Sequence, residues 1–307
     1  MKPRDILDLV LLAALWGGSF IFMRVAAPEF GPIAMIELRV ALAALFLLPI
    51  LLLRGGSSEM KTHWKALFIV GALNSAIPFC LFGFATLYLA GGFTSIVNAA
   101  SPLWGALIAW FWLGDKLNLN RQLGLLIGFA GVIILVWDKV SLEFTGSALA
   151  IPAAMVASIF YGVAASYAKR HLMGVSSLSV ATGSQLGAAL LLLPLTPFVW
   201  PQQHISMTAW ISVIVMAVAC TGIAYILYFR LISNVGPVKA ISVTFLVPVF
   251  GVIWGSLFID ETLTTSMIIG CGVILLGTAM ATGLITTSRR SSPPAKQAVQ
   301  STEKPIQ

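Results

Sequence analysis

Long apolar runs separated by short polar segments fill most of this chain of 307 residues. Each run is about twenty residues long, the length at which an α-helix crosses a hydrocarbon layer. The runs lack the alternating pattern of membrane β-barrel strands. The pattern predicts an all-α integral membrane protein with ten transmembrane helices, placed approximately at residues 6–27, 32–53, 65–88, 92–113, 121–138, 146–168, 176–199, 207–231, 236–258 and 265–285.

The composition indicates that lipid is the solvent for most of the chain. Hydrophobic residues make up 59% and charged residues only 9%, whereas a soluble domain carries about 25% charged residues. The net charge is +7, but the basic residues lie at helix ends and form no patch that faces a nucleic acid groove. We therefore predict the lipid bilayer as a partner and exclude nucleic acid.

The basic residues also predict an orientation. With the N-terminus in the cytoplasm, every Lys and Arg except Arg24, Arg39 and Lys139 lies at a cytoplasmic helix end or in a cytoplasmic segment. This bias is the usual one for membrane proteins. An even number of spans places the C-terminus in the cytoplasm as well, and the basic segment 287–307 is expected to be a disordered cytoplasmic tail.

An internal repeat organises the chain. ALAALFLLP (41–49) matches LGAALLLLP (186–194) at an offset of 145, and residues 101–117 match residues 247–263 at an offset of 146. The repeat predicts two domains. Each domain contains five of the predicted helices, and the domains are residues 1–140 and 141–286.

The odd number of helices in each domain has a topological consequence. The second domain must enter the membrane from the opposite side, so the two domains form inverted-topology repeats. Many secondary transporters have this construction, with the substrate site near the membrane midplane where the repeats meet.

Several segments resemble the EamA-type branch of the drug/metabolite transporter superfamily. They are ALWGGSF (14–20), Pro32 followed by Arg39, LVPVFGVIWGSLFIDETLT (246–264) and GCGVILLGTAM (270–280). The resemblance covers residues 6–285. It implies ten helices around a central cavity, a location in the inner (plasma) membrane, and export of amino acids, drugs or other metabolites. It implies no particular substrate.

Two ionisable residues, Glu37 and Arg39, lie clearly inside a predicted span. Charge is costly in lipid, so both are functional candidates. We interpret Arg39 as a cavity group for an anionic or carboxylate substrate, or as half of a gating ion pair. The alternatives are snorkelling to the interface and a structural bond to carbonyl groups. Glu37 is interpreted as a proton-coupling carboxylate, with solvation at the interface as the alternative.

Two prolines at equivalent mid-helix positions, Pro102 and Pro248, predict bent helices that act as hinges. The polar residues Asn98, Ser101 and Thr244 lie close to these prolines along the chain. One interpretation is that the polar residues line the cavity together with carbonyl groups freed by the bends. The alternative is that they only satisfy the bends.

Further polar side chains lie at similar depth in the predicted spans. Aromatic residues with polar atoms at this depth face other helices or a cavity more often than lipid. Ser, Asn and Gln also form hydrogen bonds between helices, which leaves a structural role open for each. These additional cavity candidates are Trp16, Ser19, Asn74, Tyr161, Gln185 and Tyr225.

Other classes of function find little support in the sequence. No G-x-x-x-x-G-K-[ST] motif is present to bind ATP. Asp5 and Asp8 have the spacing of a metal–diphosphate pair in an intramembrane enzyme, but acidic residues at a helix start are typical of a favourable dipole interaction. We predict no catalytic residue, no metal site and no cofactor.

The sequence therefore predicts a secondary transporter, not an enzyme, that exports a small-molecule substrate by alternating access. The expected substrates are amino acids, related organic solutes or drugs. Protons as the coupling ion, and a monomer or a homodimer as the functional unit, are left open. A passive facilitator or channel stays as an alternative, because the sequence alone does not separate it from a coupled carrier.

Overall fold

Apolar helices dominate the computed structural model, which describes residues 2–137, 146–236 and 240–284. No β-strand occurs within these ranges. The main helices are α1 (Pro3–Phe30), α2 (Pro32–Leu53), α3 (Ser57–Tyr88), α4 (Gly91–Leu113), α5 (Leu119–Trp137), α6 (Gly146–His171), α7 (Ser177–Leu192), α8 (Met207–Val235), α9 (Val243–Ile259) and α10 (Thr265–Ala281). Seven have the length and apolar composition to cross a membrane, and α7, α9 and α10 are apolar but shorter.

The helix bounds show that two predicted limits are wrong. α9 starts at Val243 and not at residue 236. The predicted start of the third span at residue 65 lies next to a kink, because non-helical backbone at His63 (φ −107°, ψ 16°) separates the polar segment that begins at Ser57 from the apolar helix. α7 ends at Leu192 and not at residue 199, because Pro194 has no N–H to donate to the next helical hydrogen bond. The predicted tail, 287–307, and the predicted domain boundary at 140–141 lie outside the described residues.

α3 and α8 each contain a π-helical segment near the middle of the helix. The segments are Ala72–Ala76 and Val218–Ile223. π-Segments insert an extra residue into a helical turn and are frequent at functional sites. The two segments begin 146 residues apart, which equals the offset of the sequence repeat. The same distortion therefore occupies the same place in both halves of the chain.

The ends of α4 and α9 also share their local structure. Gly114 and Asp260 end these helices with positive φ, 71° and 51° respectively. The following residues, Asp115 and Glu261, each donate the backbone N–H to the carbonyl group six residues earlier. All of these positions are related by an offset of 146. Equivalent side-chain caps then begin the next helices, at Asn118 and Thr264.

Glycines bring helix backbones together where the two halves cross. The close pairs are Gly128 with Gly277 (α5 and α10), Gly17 with Gly251 (α1 and α9) and Gly162 with Gly105 (α6 and α4). Small residues of this kind allow membrane helices to approach without an intervening side chain. The last two pairs exchange under the repeat offset, so each half contacts the other through the same pair of crossings.

Charged side chains join the halves near both ends of α1. At its start, the buried carboxylate of Asp8 forms an ion pair with Arg230 of α8. At its end, Glu29 accepts hydrogen bonds from the backbone N–H and the hydroxyl group of Ser206, at 2.6 and 2.7 Å. The bundle is therefore held together by polar contacts near its two ends and by apolar packing between them.

Glu261 adds a further contact between the halves. Its carboxylate accepts hydrogen bonds from the N–H groups of Gly91 and Gly92, at 2.6 and 2.9 Å, at the start of α4. A negative charge at this end of a helix is favourable because the helix dipole is positive there. The equivalent residue, Asp115, instead pairs with Lys169 at 3.0 Å, with both side chains well exposed.

This difference between equivalent carboxylates predicts different effects on stability. We expect Glu261→Gln to lower the free energy of unfolding by about 1–2 kcal/mol, because a neutral amide loses charge-assisted hydrogen bonds at a helix start. Asp115→Asn is the matched control and should change it by less than about 0.5 kcal/mol, since exposed ion pairs contribute little. Thermal unfolding in detergent provides the measurement, and equal shifts for the two variants would contradict the assignment.

Candidate functional site

The Arg39 side chain lies buried among α2, α3 and α8, with 3% of its surface exposed. Its Nε donates a hydrogen bond to the hydroxyl oxygen of Thr221 at 3.0 Å, and its guanidinium lies 4.0 Å from the ring centre of Phe79. Its Nη1 atom has no hydrogen-bond partner in the described part of the chain. The ion pairs among described residues, Asp115–Lys169 and Asp8–Arg230, do not include Arg39. Arg39 is therefore a buried cation without a carboxylate partner there.

Gln185 makes the equivalent contact from the other half of the chain. Its Nε2 donates a hydrogen bond to the hydroxyl oxygen of Ser75 at 2.9 Å. Gln185 lies 146 residues after Arg39, and Thr221 lies 146 residues after Ser75. Both hydroxyl groups belong to the π-segments of α3 and α8. The site thus contains two equivalent arms, one charged and one neutral, each reaching a hydroxyl group of the opposite half.

Aromatic residues surround the two arms. Tyr161 of α6 stacks on Phe82 with ring centres 5.9 Å apart and meets Phe79 edge-on at 6.4 Å. The Asn74 side-chain amide lies 3.4 Å from the hydroxyl oxygen of Tyr225, as a long hydrogen bond. We name Arg39, Asn74, Ser75, Phe79, Tyr161, Gln185, Thr221 and Tyr225 the central cluster.

Trp16 and Ser19 of α1 lie outside these direct contacts. The Trp16 ring packs against Tyr228 of α8, with ring centres 5.3 Å apart. Ser19 is buried, and its hydroxyl group has no hydrogen-bond partner among the described residues. Tyr228 belongs to the same helix as Thr221 and Tyr225. Trp16 is thus linked to the face of α8 that carries these residues.

The polar residues near the two prolines bond to nearby carbonyl groups. The Ser101 hydroxyl donates to the carbonyl oxygen of Asn98 at 2.6 Å, and the Thr244 hydroxyl donates to a carbonyl three residues earlier at 2.8 Å. Pro102 lies in the first turn after a break in α4 at residues 99–100, whereas Pro248 lies inside the uninterrupted helix α9. The two prolines therefore occupy different local structures.

Glu37 lies on another face of α2 from Arg39. It is buried, with 5% of its surface exposed, and lines a space between α2 and α7 together with Thr182. One of its carboxylate oxygens has no hydrogen-bond partner among the described residues. Glu37 therefore does not supply the missing negative charge for Arg39. Among the described residues, no group of three or more His, Cys, Asp or Glu side chains is arranged to hold a metal ion.

Sequence reasoning missed three members of the central cluster, Ser75, Phe79 and Thr221. The repeat contains a signal that identifies them. An offset of 146 relates Arg39 to Gln185, Ser75 to Thr221 and Phe79 to Tyr225. The predicted alignment used an offset of 145 for the helices of Arg39 and Gln185, which shifts that match by one residue. It did not include the segments that contain Ser75 and Thr221.

A bundle of apolar helices with polar side chains at mid-helix depth defines a multi-pass membrane protein. The chain belongs to the EamA-like transporter family, whose sequence profile matches residues 6–137 and 148–283. This match confirms the resemblance seen in the sequence. The names of the family and of its members indicate a transporter and not an enzyme.

Similar proteins extend over nearly the whole chain. An uncharacterized transporter, YvbV of Bacillus subtilis, is 25% identical, with 94% of each chain covered. A protein named as a probable amino-acid metabolite efflux pump of Escherichia coli is 23% identical, with 90% of this chain and 94% of the relative covered. An uncharacterized inner membrane transporter of Escherichia coli, YedA, is 25% identical, with 92% and 93% covered.

A solved structure has the same fold. A crystal structure superposes with a TM-score of 0.66 and covers 92% of this chain and 98% of its own, at 19% sequence identity. At this identity the likeness concerns the fold alone. The helices of this protein therefore form an arrangement that occurs in an experimentally determined structure.

Proposed function

We propose that this protein is a secondary transporter that exports small carboxylate-bearing metabolites, amino acids in particular, by alternating access. The observation that carries the proposal is the buried guanidinium of Arg39, which lacks a carboxylate partner in the described part of the chain. A residue of this kind at membrane depth is expensive to maintain and typically marks a substrate or ion pathway.

Electrostatics favours an anionic group as the ligand of Arg39. A buried charge without an opposite charge costs several kcal/mol, and Thr221 and Phe79 offer only a neutral oxygen and a ring face. A carboxylate matches the planar guanidinium through two parallel hydrogen bonds. The Nη1 atom, free of protein partners in the described chain, provides one of the donors.

Gln185, the neutral arm of the central cluster, is suited to bind the ammonium group of an amino acid. The Oε1 atom of Gln185 has no hydrogen-bond partner among the described residues. A side-chain amide oxygen accepts hydrogen bonds, and an ammonium group supplies three donors. A zwitterionic substrate with its carboxylate at Arg39 and its ammonium group at Gln185 satisfies both unpaired atoms.

Half-buried residues support a space within the bundle for such a substrate. Trp16, Asn74, Tyr161 and Tyr225 keep some accessible surface although each lies near the middle of its helix. Trp16 and Tyr161 make ring contacts to other helices. Asn74 of α3 donates a hydrogen bond to Tyr225 of α8, whose ring also stacks on Phe229 of the same helix. We propose that these four residues line the substrate cavity, and that Ser19 contributes a hydroxyl group to it.

The proposed topology is ten spans in two inverted repeats, residues 1–140 and 141–286, with both termini in the cytoplasm. The π-segments, the ends of α4 and α9 and the glycine crossings each recur at an offset of 145 or 146, which supports two equivalent halves. Equivalent halves of opposite orientation provide alternating access when they exchange conformations. The shortest proposed span, α7, has 16 residues and rises about 24 Å.

The name of one relative supports the direction and the substrate class. The Escherichia coli protein is named for efflux of amino-acid metabolites. The two proteins share 23% identity over most of both chains.

Counterflow in proteoliposomes tests the proposed function. Vesicles loaded with unlabelled amino acids should accumulate external ¹⁴C-labelled amino acids transiently above equilibrium, because a carrier exchanges substrates and a channel does not. Vesicles without protein are the control, and an imposed pH gradient that changes the rate would indicate proton antiport. Entry of label without an overshoot would contradict alternating access and favour a passive facilitator.

A further inference from the structure

A space that we name the lateral groove lies between α2 and α7 and has a volume of about 270 Å³. Leu45, Leu190 and Leu193 at its rim are 65%, 55% and 56% exposed. On a membrane protein such exposed leucines face lipid, so the groove opens sideways into the bilayer. Its lining residues are Glu37, Ala41, Ala44, Leu45, Leu48, Thr182, Leu186, Ala189, Leu190 and Leu193.

The walls of the lateral groove suit an alkyl chain. The lining positions on α2 recur every three or four residues, which places them along one face of the helix. Small residues form the inner wall, where Ala44 and Ala189 are buried. From Glu37 to Leu48 the groove follows α2 for about 16 Å, roughly half the thickness of the hydrocarbon layer. An extended single alkyl chain fits this shape.

Glu37 is the charged residue among the described residues that line the groove. It is 5% exposed, one of its oxygens has no partner, and neither ion pair of the described residues includes it. A buried carboxylate without a partner is costly, so the complementary ligand group is a cation. A neutral alkyl chain would fill the groove and leave the Glu37 carboxylate unpaired. An anionic head group would be repelled by this carboxylate.

We propose that the lateral groove binds a single-chain cationic amphiphile, with a primary ammonium group at Glu37 and the alkyl chain between α2 and α7. An ammonium group provides both the charge and the hydrogen-bond donors that the carboxylate lacks. The site is separate from the central cluster because Glu37 and Arg39 lie on different faces of α2. The inference therefore does not depend on amino acid transport.

Direct binding of tritiated dodecylammonium to the protein in phosphatidylcholine nanodiscs tests the proposal. We expect saturable binding above that of empty nanodiscs, and at least tenfold weaker binding by Glu37→Gln. Dodecanol, which has the same chain without the charge, should fail to displace the label. Asp115→Asn is the matched acid-to-amide control and should bind as the wild type does.

A second variant keeps the test decisive if Glu37→Gln does not fold. Ala189→Leu leaves the carboxylate in place and fills the groove, so we expect it to abolish saturable binding. Three outcomes would each overturn the proposal: equal affinity of folded Glu37→Gln and wild type, displacement of the label by dodecanol as effective as by unlabelled dodecylammonium, or no binding above empty nanodiscs. Loss of counterflow with binding intact would refute only the proposed transport function.

Discussion

Alanine in place of Arg39 is expected to lower amino acid counterflow by about 10- to 100-fold. Hydrogen bonds to a charged group contribute about 1.5–3 kcal/mol, and each 1.4 kcal/mol corresponds to about a factor of ten. Lysine at this position should retain part of the activity, because it keeps the charge and loses the planar fork that binds a carboxylate in two places. Initial rates over a range of amino acid concentrations provide the measurement.

The stability of the Arg39 variants separates a binding role from a structural one. Arg39→Ala removes a buried charge together with its contacts to Thr221 and Phe79. The relief of the desolvation cost offsets the lost contacts, so the melting temperature should stay close to that of the wild type. Arg54→Ala is the matched control, since Arg54 is an exposed cation at the end of the same helix, and its counterflow should be unchanged. Normal kinetics in folded Arg39→Ala would remove Arg39 from the substrate site.

Alanine in place of Gly277 is expected to destabilise the whole bundle. A Cβ atom at this position would overlap the backbone N and Cα atoms of Gly128 on α5. Backbone atoms cannot move aside as a side chain does, so α5 and α10 must separate along their contact. We expect a loss of about 3 kcal/mol and a melting temperature at least about 5 °C lower, measured by thermal unfolding in detergent.

Gly272 provides the control on the same helix. A Cβ atom at Gly272 meets no atom within 4 Å, and alanine has a higher helix propensity than glycine by about 1 kcal/mol. Gly272→Ala should therefore be as stable as the wild type or more stable. If Gly277→Ala had the same melting temperature as Gly272→Ala, the close crossing of α5 and α10 would be refuted.

The repeat in the sequence anticipated part of the local structure. The matching segments 101–117 and 247–263, at an offset of 146, contain the equivalent helix ends at Gly114 and Asp260. The π-segments, which lie outside these segments, begin at the same offset. The sequence did not indicate the π-segments themselves, because a single inserted residue within a helical turn leaves the apolar run unbroken. It also did not indicate that Glu261 caps α4 while Asp115 pairs with Lys169.

The candidate site was anticipated through its charge but not through its partners. Arg39 was recognisable because it interrupts an apolar run. Its partner Thr221 lies 182 residues away and is one of many hydroxyl residues in the apolar helices. Asn98, Ser101 and Thr244 had the same sequence signature as Asn74 and Gln185, yet Ser101 and Thr244 bond to neighbouring carbonyl groups.

By itself the sequence determined the membrane class, the apolar helices and the family, because lipid selects long apolar segments whatever the neighbouring helices are. Only the tertiary structure decided that Arg39 points to Thr221 and Phe79 while Glu37 points to the lateral groove. The physical reason is that α2, apart from Glu37 and Arg39, is apolar on all sides. Its sequence therefore does not fix the rotation of the helix about its axis, and packing against α3, α7 and α8 does.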